Sequence, residues 1–282
     1  MAIPDGFDLD EFVTGTLAED LGIGGDVTSA ATIPADAAFT ADMNCRELIV
    51  VAGLDVAGAF FRALDATVRI ERLVEDGANA PPGTVLMRLS GNARSMLAAE
   101  RSALNTLQHL SGIATLTRRY VDAIAGTGAT LLDTRKTIPG LRALEKYAAR
   151  MGGAQNHRMR LDDGVLIKDN HVAVAGGVAE AVSRAKAADT GLQVQVEVDR
   201  IDQIAPALEA GADRLLLDNM NPMTLREAVR LVAGRVPLEA SGGVTLETIR
   251  AIAETAVDFI SVGRITQSAP AVDIGLDYSL TR

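Results

Sequence analysis

Residues 193–219 read QVQVEVDRIDQIAPALEAGADRLLLDN and contain one complete strand–helix–strand unit. The runs 193–199 and 213–219 are short and apolar, and the segment 201–211 between them has apolar residues at helical spacing. Strands that alternate with helices are typical of parallel β/α architecture, because the helix returns the chain to the start of the next strand. We therefore predict a parallel sheet for this part of the chain.

The same unit repeats on both sides of this stretch. The repeats predict six strands: ATLLDTR (129–135), GVLIKD (164–169), QVQVEVD (193–199), DRLLLDN (213–219), PLEASGG (237–243) and DFISVGR (258–264). Further helical segments cover 176–188, 223–234 and 245–255. Six strands in about 135 residues fall short of an eight-stranded barrel of about 250 residues, and an open doubly wound sheet stays possible.

The part of the chain before residue 129 has a different, α+β pattern. Helices are predicted for 8–21, 54–64 and about 94–125, and strands for 38–52 (around LIVVAG), 67–74 and the end of 77–91. The third helix is long enough to connect two domains, and a length of 282 residues also predicts about two domains.

The composition excludes several classes of protein. Hydrophobic residues make up 48% and charged residues 23% of the chain, which excludes a disordered or collagen-like protein. The single cysteine, Cys45, excludes an internal disulfide and a cysteine-rich zinc site, and it favours a reducing, cytoplasmic location. No apolar run is long enough for a membrane span, and residues 1–12 are acidic where a targeting peptide is basic. A net charge of −10 and the absence of tryptophan argue against nucleic-acid binding.

Positive charge is concentrated in residues 94–171, which hold 12 Lys and Arg against 7 Asp and Glu. The rest of the chain holds 15 basic and 30 acidic residues. Because clustered cations attract anions, this window is a candidate anion-binding region. Charges on solvated helix faces would give the same count, so the count alone leaves both interpretations open.

Each of the six predicted strands ends in polar or glycine residues. In chain order these are Asp133 to Lys136, Lys168 to His171, Glu197, Asp218 with Asn219, Ser241 to Gly243, and Gly263 with Arg264. In a parallel β/α barrel the carboxyl ends of the strands meet at one face, where the active site forms. Six such ends in succession predict a functional site, although polar helix caps would also place polar residues there.

Two of these ends, SGGVTLETIR (241–250) and VGRITQS (262–268), have the form of phosphate-binding loops. Each places glycine and exposed backbone before a predicted helix, whose free N–H groups and dipole favour an anion. A tight turn is the alternative role for Gly242 and Gly243. The other glycines do not complete a G-x-G-x-x-G pattern, so no dinucleotide site is predicted.

Glu197 and Asp218 end neighbouring predicted strands. Paired carboxylates in this position suit Mg²⁺, held directly or through water, or the hydroxyl groups of a ribose. They would equally suit a pair of buried acids balanced by Lys136 or Lys168. No histidine motif for a tightly bound zinc occurs in the chain.

The segment NHRMR (156–160) adds further cations to those at the strand ends. The candidate anion pocket then contains Arg101, Arg135, Lys136, His157, Arg158, Arg160 and Lys168. So many cations suit a ligand with several anionic groups, since arginine binds carboxylate or phosphate through two hydrogen bonds.

The run DTRKTIPGLRALEKYAARMGGAQNHRMRLDDGVLIKDNH (133–171) resembles the quinolinate phosphoribosyltransferase family, also called carboxylating nicotinate-nucleotide pyrophosphorylases. AERSALNTLQHLSGIAT (99–115), VEVD (196–199), LLLDN (215–219) and ASGGVTLETIRAIAETAVDFISVG (240–263) extend the resemblance over nearly the whole chain. It implies an α/β fold with an N-terminal α/β sandwich domain, residues 1–110 completed by 268–282. The catalytic domain, residues 111–267, would be an incomplete, seven-stranded β/α barrel.

The resemblance also implies a reaction and a set of site residues. Quinolinate and phosphoribosyl pyrophosphate would give nicotinate mononucleotide, pyrophosphate and CO₂ in de novo NAD synthesis, with Mg²⁺ and no tightly bound organic cofactor. The catalytic residues would be Lys136, Lys168, Glu197 and Asp218, with Mg²⁺ at Glu197 and Asp218. The substrate-binding residues would be these four and Arg101, Thr134, Arg135, His157, Arg158, Ser241, Gly242, Gly243, Val262, Gly263 and Arg264. A homodimer would share its active sites, with Arg101 reaching the neighbouring subunit's quinolinate, and further assembly into a hexamer stays open.

Three residues depart from the pattern of this family. VGRITQS stands where V-G-A-L-T-H-S is usual, so Arg264 replaces a small residue and Gln267 a histidine, and Arg160 stands where glycine is common. The departures leave room for a paralogue that resembles the molybdenum-locus protein of the same fold, which the intact NHR and LIKDNH segments disfavour. A catalytically inactive sensor of a nucleotide or dicarboxylate is the other alternative, and the complete set of predicted catalytic residues disfavours it.

Overall fold

The computed structural model describes residues 6–279. Residues 1–5 and 280–282 lie outside the described chain. Both ends of the predicted N-terminal domain and part of the acidic segment 1–12 therefore lie outside it as well. Up to residue 123 the elements are α1 (Leu9–Leu21), α2 (Val27–Thr32), β1 (Ala38–Cys45), β2 (Ile49–Val50), α3 (Leu54–Leu64), β3 (Arg69–Arg72), β4 (Asn79–Ala80), β5 (Val85–Asn92) and α4 (Ala93–Ala123).

The elements after residue 123 mostly alternate between strand and helix. They are β6 (Thr130–Leu132), α5 (Arg142–Gly152), β7 (Val165–Ile167), α6 (Asp169–Ala175), α7 (Val178–Ala187), β8 (Val194–Val198), a 3₁₀ helix (Ile201–Gln203), α8 (Ile204–Glu209), β9 (Arg214–Asp218), α9 (Pro222–Val232), β10 (Leu238–Ser241), α10 (Ile249–Ala253), β11 (Phe259–Ser261), α11 (Arg264–Gln267) and β12 (Ile274–Ser279).

The chain divides into two compact units. The first comprises Met1–Leu116, Ala143–Gly153 and Ala269–Arg282, and the second comprises Thr117–Arg142 and Ala154–Ser268. The segment Ala143–Gly153 therefore groups with the first unit, although it lies inside the range predicted for the barrel. Its buried polar side chains have their partners in the first unit: Glu145 contacts His109 at 2.9 Å, and Tyr147 donates a hydrogen bond to Asp76.

The first unit contains a four-stranded antiparallel sheet with the order β12–β1–β5–β3. Buried residues alternate with more exposed ones along β1, as expected for a strand with one face on a core. The strand predicted over 38–52 is present as β1 in its first half, but its centre at LIVVAG is misplaced, because only the two-residue β2 occurs there. Every residue from Ile49 to Leu54 is buried, so the apolar run reflects burial on all sides and not a longer strand.

The second unit contains a six-stranded parallel sheet with the order β6–β11–β10–β9–β8–β7. All six strands predicted from the sequence are confirmed. Neighbours in the sheet follow chain order except that β6 pairs with β11, which is the order of a β/α barrel opened between β6 and β7. Gln155 forms a single parallel bridge with Leu132, so a seventh extended segment lies beside β6 without the length of a strand. The predicted α/β class, with an N-terminal sheet domain and a C-terminal parallel β/α domain, is confirmed.

The long helix predicted over about 94–125 is α4, which is 31 residues long. Gly112 in this helix lies directly against the chain that leads into β12. A Cβ atom on Gly112 would lie 2.1 Å from the carbonyl oxygen of Pro270, so only glycine allows this approach. Neither α4 nor any other helix within residues 6–279 has the apolar length needed to cross a membrane.

We predict that Gly112→Ala destabilises the fold by about 2–3 kcal/mol, because the added methyl group must displace the backbone at Pro270. Gly15→Ala is the matched control, since Gly15 also lies inside a helix and an added Cβ there has no atom within 4 Å. This control should stabilise the protein by about 0.5–1 kcal/mol through helix propensity. Urea unfolding of both variants measures the difference, and equal free energies of unfolding would contradict the packing argument.

Candidate active site

A cavity of about 640 Å³ lies at the carboxyl ends of the strands of the parallel sheet. Only residues of the second unit line it. All the predicted catalytic and substrate-binding residues except Arg101 are among them: Thr134, Arg135, Lys136, His157, Arg158, Lys168, Glu197, Asp218, Ser241, Gly242, Gly243, Val262, Gly263 and Arg264. The expected convergence of strand ends therefore brings these residues to one cavity.

Two cations of the candidate anion pocket lie elsewhere. Arg101 is exposed on α4 in the first unit and does not line the cavity. Arg160 is also exposed, and its Nε donates a hydrogen bond to Asp162 Oδ1 at 2.9 Å. Its guanidinium is therefore paired at the protein surface.

Asp133, directly after β6, joins two separate segments of the cavity wall. Its buried carboxylate accepts a hydrogen bond from the backbone N–H of His157 at 2.8 Å and another from the side-chain amide of Asn156. Hydrogen bonds to an ionised acceptor are the stronger kind. They hold the segment 156–158 against the strand end that carries the loop 134–136.

The loop 134–136 is fixed by its own hydrogen bonds and by α11. Thr134 Oγ1 accepts the backbone N–H of Lys136 at 3.0 Å, and Thr266 Oγ1 donates to the Lys136 carbonyl oxygen at 2.7 Å. A Cβ on Gly263 would lie 2.7 Å from Lys136 Cδ, so the glycine leaves room for the lysine side chain. Lys136 is thereby directed along the second glycine loop.

Arg135 and Arg158 are two neighbouring cations of the cavity wall. Arg158 Nη1 donates to the carbonyl oxygen of Gly164 at 2.8 Å. Burial lowers the pKa of Arg158, and the nearby charge of Arg135 lowers it further. Arg135 Nε is buried and has no hydrogen-bond partner within residues 6–279. Two neighbouring guanidinium groups in one cavity wall, one of them with this buried donor, are typical of a site for a multiply charged anion.

Glu197 in β8 and Asp218 in β9 bring negative charge to the same cavity. Burial raises the pKa of Glu197, the charge of Lys168 lowers it, and the charge of Asp218 raises it again, with a net rise. Lys168 Nζ lies 3.5 Å from Glu197 Oε2. Asn219 Nδ2 donates to Asp218 Oδ2 at 2.6 Å, which fixes the second carboxylate.

This pair of carboxylates fits a magnesium ion that is shared with a substrate. Within residues 6–279 no group of three or more His, Cys, Asp or Glu side chains is placed to hold a metal ion. Mg²⁺ commonly takes only one or two protein carboxylates and completes its octahedral shell with water and substrate phosphates. The donor set of Glu197 and Asp218 therefore suits Mg²⁺ better than a metal held by protein side chains alone.

The two glycine loops line the cavity, but the helix after the first begins later than predicted. The prediction of a helix from residue 245 is wrong, because α10 begins at Ile249. Thr248 Oγ1 accepts the backbone N–H of Thr245 at 3.0 Å and so holds a turn before the helix. After the second loop, α11 is only four residues long. An anion at these loops would meet backbone and side-chain groups, and not the N-terminus of a long helix.

Gly242 interlocks the first glycine loop with the end of β9. It has φ of +93°, and a Cβ there would lie 2.2 Å from Asn219 Oδ1. Asn219 in turn donates its backbone N–H to the Ser241 carbonyl oxygen at 2.9 Å. The glycine is therefore required both by its left-handed conformation and by the close approach of Asn219.

The sequence analysis missed Glu239, which lies inside β10 and lines the cavity although it is fully buried. Gln195 Nε2 and Arg214 Nη2 each lie 2.8 Å from Glu239 Oε2. His157 Nε2 lies 3.4 Å from the same oxygen. An acid in the middle of an apolar strand is a usable sequence signal, because a buried carboxylate must be paired to be tolerated.

Comparison with known protein families identifies the relatives of this chain. The family model "Quinolinate phosphoribosyl transferase, C-terminal domain" matches residues 113–277, and the model of the N-terminal domain of the same family matches residues 26–111. This chain belongs to the quinolinate phosphoribosyltransferase family. Individual relatives and solved structures agree with this assignment.

A nicotinate-nucleotide pyrophosphorylase [carboxylating] of Mycobacterium leprae is 45% identical over an alignment of 269 residues, and the match covers 93% of this chain and 94% of that protein. A probable nicotinate-nucleotide pyrophosphorylase [carboxylating] of Bacillus subtilis is 40% identical, and the match covers 93% and 91% of the two chains. The structure of the nicotinate-nucleotide pyrophosphorylase from Francisella tularensis superimposes with a TM-score of 0.94 at 42% identity, covering 99% of this chain and 98% of that one.

Two of the three departures from the family pattern line the cavity of this quinolinate phosphoribosyltransferase family member. Arg264 and Gln267 both contribute to the wall, and both are exposed. Arg264 directly follows Gly263, so the second glycine loop carries one positive charge more than the usual pattern provides. The third departure, Arg160, lies outside the lining.

We predict that Gly242→Ala lowers the catalytic efficiency of this family member at least about ten-fold, because the methyl group must displace Asn219 and with it the carboxylate of Asp218. Gly234→Ala is the matched control, since Gly234 also has positive φ, +73°, but an added Cβ there meets no atom within 4 Å. Both variants should lose thermal stability through backbone strain, and Gly242→Ala should lose more because its methyl group also collides with Asn219. Steady-state kinetics and thermal unfolding of both variants distinguish the effect of backbone strain from the effect of displacing Asn219. Equal catalytic efficiencies would show that the contact with Asn219 does not matter.

Proposed function

We propose that this chain transfers the phosphoribosyl group of phosphoribosyl pyrophosphate to quinolinate with loss of CO₂. The products are nicotinate mononucleotide and pyrophosphate, and the reaction belongs to de novo NAD synthesis. The observation that carries the proposal is one cavity that contains both the Arg135 and Arg158 cations and the Glu197 and Asp218 carboxylates. The names of the relatives from Mycobacterium leprae and Bacillus subtilis support the same reaction.

Quinolinate carries two carboxylates on neighbouring ring atoms and therefore needs several cations close together. Arg135, Arg158 and Lys168 provide them within the cavity. Arginine suits this task because its planar donors match a carboxylate with two parallel hydrogen bonds. His157 lies beside Arg158 and completes this part of the wall.

Phosphoribosyl pyrophosphate carries a 5′-phosphate, a ribose and a pyrophosphate. The 5′-phosphate suits the two glycine loops, where Ser241, Gly242, Gly243, Val262, Gly263 and Arg264 line the cavity. Glu197 and Asp218 suit the ribose hydroxyl groups, and Thr134, Lys136 and Lys168 suit the pyrophosphate. This assignment places the anions of the donor against cations and backbone N–H groups.

Glu197 and Asp218 would also hold Mg²⁺. The ion, when bound, supplies positive charge that neutralises the pyrophosphate. No tightly bound organic cofactor is required, because both substrates carry the reacting groups themselves.

The first chemical step forms a bond between the pyridine nitrogen and ribose C1. The nitrogen lone pair supplies the electrons, and the bond from C1 to the pyrophosphate oxygen breaks with its electron pair on that oxygen. Positive charge develops on the ribose, and the carboxylates of Glu197 and Asp218 stabilise it. Lys136 and Lys168 stabilise the negative charge of the departing pyrophosphate. The nitrogen carries no proton, so this step needs no general base.

The second step breaks the bond between ring carbon C2 and its carboxylate. CO₂ leaves, the electron pair stays on C2 beside the positively charged ring nitrogen, and a proton from solvent then replaces the carboxylate. The cations of the cavity favour electron density on the ring, since they lie on the side that bound the dicarboxylate. The balance is one proton taken up for each CO₂ released.

We also propose a homodimer with shared active sites and a cytoplasmic location. Arg101 is exposed in the first unit, whereas the cavity is lined only by the second, so a symmetric dimer gives this arginine a partner site. Assembly of such dimers into a hexamer is compatible with the same arrangement. The location rests on Cys45, a free cysteine in a buried position, as is usual in a reducing compartment.

We predict that quinolinate is turned over and that nicotinate is used at least about 100-fold less efficiently. Without the 2-carboxylate, desolvated guanidinium groups are left unpaired, which costs about 3 kcal/mol or more. The measurement is release of pyrophosphate with each acid in the presence of phosphoribosyl pyrophosphate and Mg²⁺.

Arg158→Ala should reduce the preference for quinolinate over nicotinate. Arg200→Ala is the matched control and should preserve this preference, because Arg200 is exposed and paired with Asp199 and Asp202. Equal use of quinolinate and nicotinate by the unmodified protein would reject the proposed function. Binding of either acid without any turnover would favour the inactive sensor.

We predict that Arg101→Ala and Lys136→Ala are each nearly inactive but complement one another in mixed dimers. If Arg101 acts in the partner's site, each mixed dimer has one site with both residues intact and one with both missing. Random pairing makes about half of the dimers mixed, so about a quarter of all sites should regain activity after joint unfolding and refolding. Two affinity tags verify that mixed dimers have formed. Activity that stays at the level of the single variants in verified mixed dimers would show that Arg101 acts within its own chain.

A further inference from the structure

The carboxylate of Glu239 is the centre of a buried polar cluster below the cavity-lining ends of the strands. Donors from three segments meet at its Oε2: Gln195 and Arg214 at 2.8 Å and His157 at 3.4 Å. Arg214 is itself held over the ring of Phe259, with its guanidinium carbon 3.8 Å from the ring centroid. Glu239 and Arg214 therefore balance one another in charge, and His157 is an additional partner.

This arrangement is costly for the fold. Glu239 is fully buried, and its other oxygen, Oε1, has no hydrogen-bond partner within residues 6–279. An unsatisfied buried oxygen destabilises a protein, and an apolar pair of similar volume often replaces a buried ion pair without loss. Stability alone therefore does not account for a carboxylate at this position, which favours a role in the neighbouring cavity.

His157 connects this carboxylate with the cationic wall. Its Nδ1 accepts the backbone N–H of Arg158 at 2.8 Å, so Nδ1 carries a lone pair and the ring proton is on Nε2. Nε2 is the nitrogen that faces Glu239. The imidazole is therefore neutral in this arrangement, and it contributes hydrogen bonds and not the positive charge that the sequence analysis assigned to it.

The ionised state of Glu239 is consistent with its role as the acceptor. Burial alone would raise the pKa of Glu239, but the hydrogen bond from His157, together with the charge of Arg214 and the hydrogen bond from Gln195, outweighs burial and lowers it. A carboxylate that stays ionised accepts hydrogen bonds only, so it selects the Nε2–H form of the neighbouring ring.

The ring of His157 is thus held between Glu239 and the backbone of Arg158, while Asp133 holds the backbone N–H of His157 itself. Any rotation of the ring would release the N–H of Arg158. The position of the Arg158 guanidinium beside Arg135 therefore depends on a carboxylate that does not touch the anion.

We propose that Glu239 is a positioning residue for the acceptor acid: it holds His157 in the Nε2–H form and thereby fixes Arg158 for binding of the pyridine dicarboxylate. The nature of the acid rests on the proposed function, whereas the form of the His157 ring does not. The two parts can therefore be tested separately.

The ring form is tested by nitrogen NMR of the full-length protein labelled with ¹⁵N-histidine. The chain has only three histidines, and a His157→Gln variant assigns the signals. We expect the neutral Nε2–H form of His157 at pH 7.5 without substrate. The Nδ1–H form, or a ring protonated on both nitrogens, would overturn the proposal. This measurement uses the unmodified chain, so it decides the matter even if substitutions at Glu239 prevent folding.

The consequence for the substrate is tested with Glu239→Gln, which keeps the length of the side chain and removes its charge. We expect the KM for quinolinate to rise at least about ten-fold, while the KM for phosphoribosyl pyrophosphate changes less than about two-fold. The His157 ring signals should also leave the Nε2–H position. Glu239→Asp keeps the charge for Arg214 but withdraws it from His157, so it should raise the KM for quinolinate in the same direction.

Glu145→Gln is the matched control, because Glu145 is also fully buried and also contacts a histidine Nε2, that of His109 at 2.9 Å, but does not line the cavity. This substitution should lower the melting temperature but leave the ratio of the KM for quinolinate to the KM for phosphoribosyl pyrophosphate unchanged. If Glu239→Gln raises both KM values equally, or leaves that for quinolinate unchanged, Glu239 has only a structural role and the proposal fails. If the unmodified protein does not turn over quinolinate, the proposed function fails, and the NMR result still decides the ring form.

Discussion

The hydrogen bonds accepted by the buried carboxylate of Asp133 are the constraint on which the site depends. They connect the end of β6 with a segment more than 20 residues further along the chain, which carries His157 and Arg158. The intervening α5 belongs to the first unit, so local geometry does not bring these two segments together. Together with the parallel bridge between Leu132 and Gln155, this connection makes the cations of the two segments neighbours.

The cavity also shows how opposite charges are kept available in one place. The two kinds of cation in the walls differ: Arg135 Nε is buried and has no hydrogen-bond partner within residues 6–279, whereas Lys168 is half exposed and lies 3.5 Å from Glu197. A buried donor such as Arg135 Nε costs free energy, because its desolvation is compensated only when an anion pairs with it. An anionic substrate would recover that energy on binding. A group of this kind therefore lowers the stability of the fold and raises the affinity for an anionic ligand.

Steric constraints act beside these charges. Gly242 and Gly263 each have a side chain from another loop in the place where a Cβ would lie: Asn219 in the first case and Lys136 in the second. Neighbouring strand ends are thereby interlocked by contact and not only by the sheet. The Arg264 side chain, which follows Gly263, is exposed and takes no part in these close contacts.

The sequence by itself determined the six strands and the α/β class, and with the family resemblance it named every charged and glycine residue of the cavity lining except Glu239. Apolar strand runs and their polar ends are local features, and in parallel sheets local ends become spatial neighbours without further information. The family resemblance rests on the same local motifs. Even the departures Arg264 and Gln267 were visible in the sequence, since they interrupt an otherwise regular motif.

Only the tertiary structure decided what depends on contacts between distant segments. The position of α5 in the first unit follows from partners of Glu145 and Tyr147 that lie tens of residues away. The late start of α10 follows from a side-chain hydrogen bond that propensity does not report. Glu239 is one acid among 37 acidic residues in the sequence, and its importance is visible only where Gln195, Arg214 and His157 meet it. The charge state of His157 likewise depends on which group faces each ring nitrogen, and that is a property of the folded chain alone.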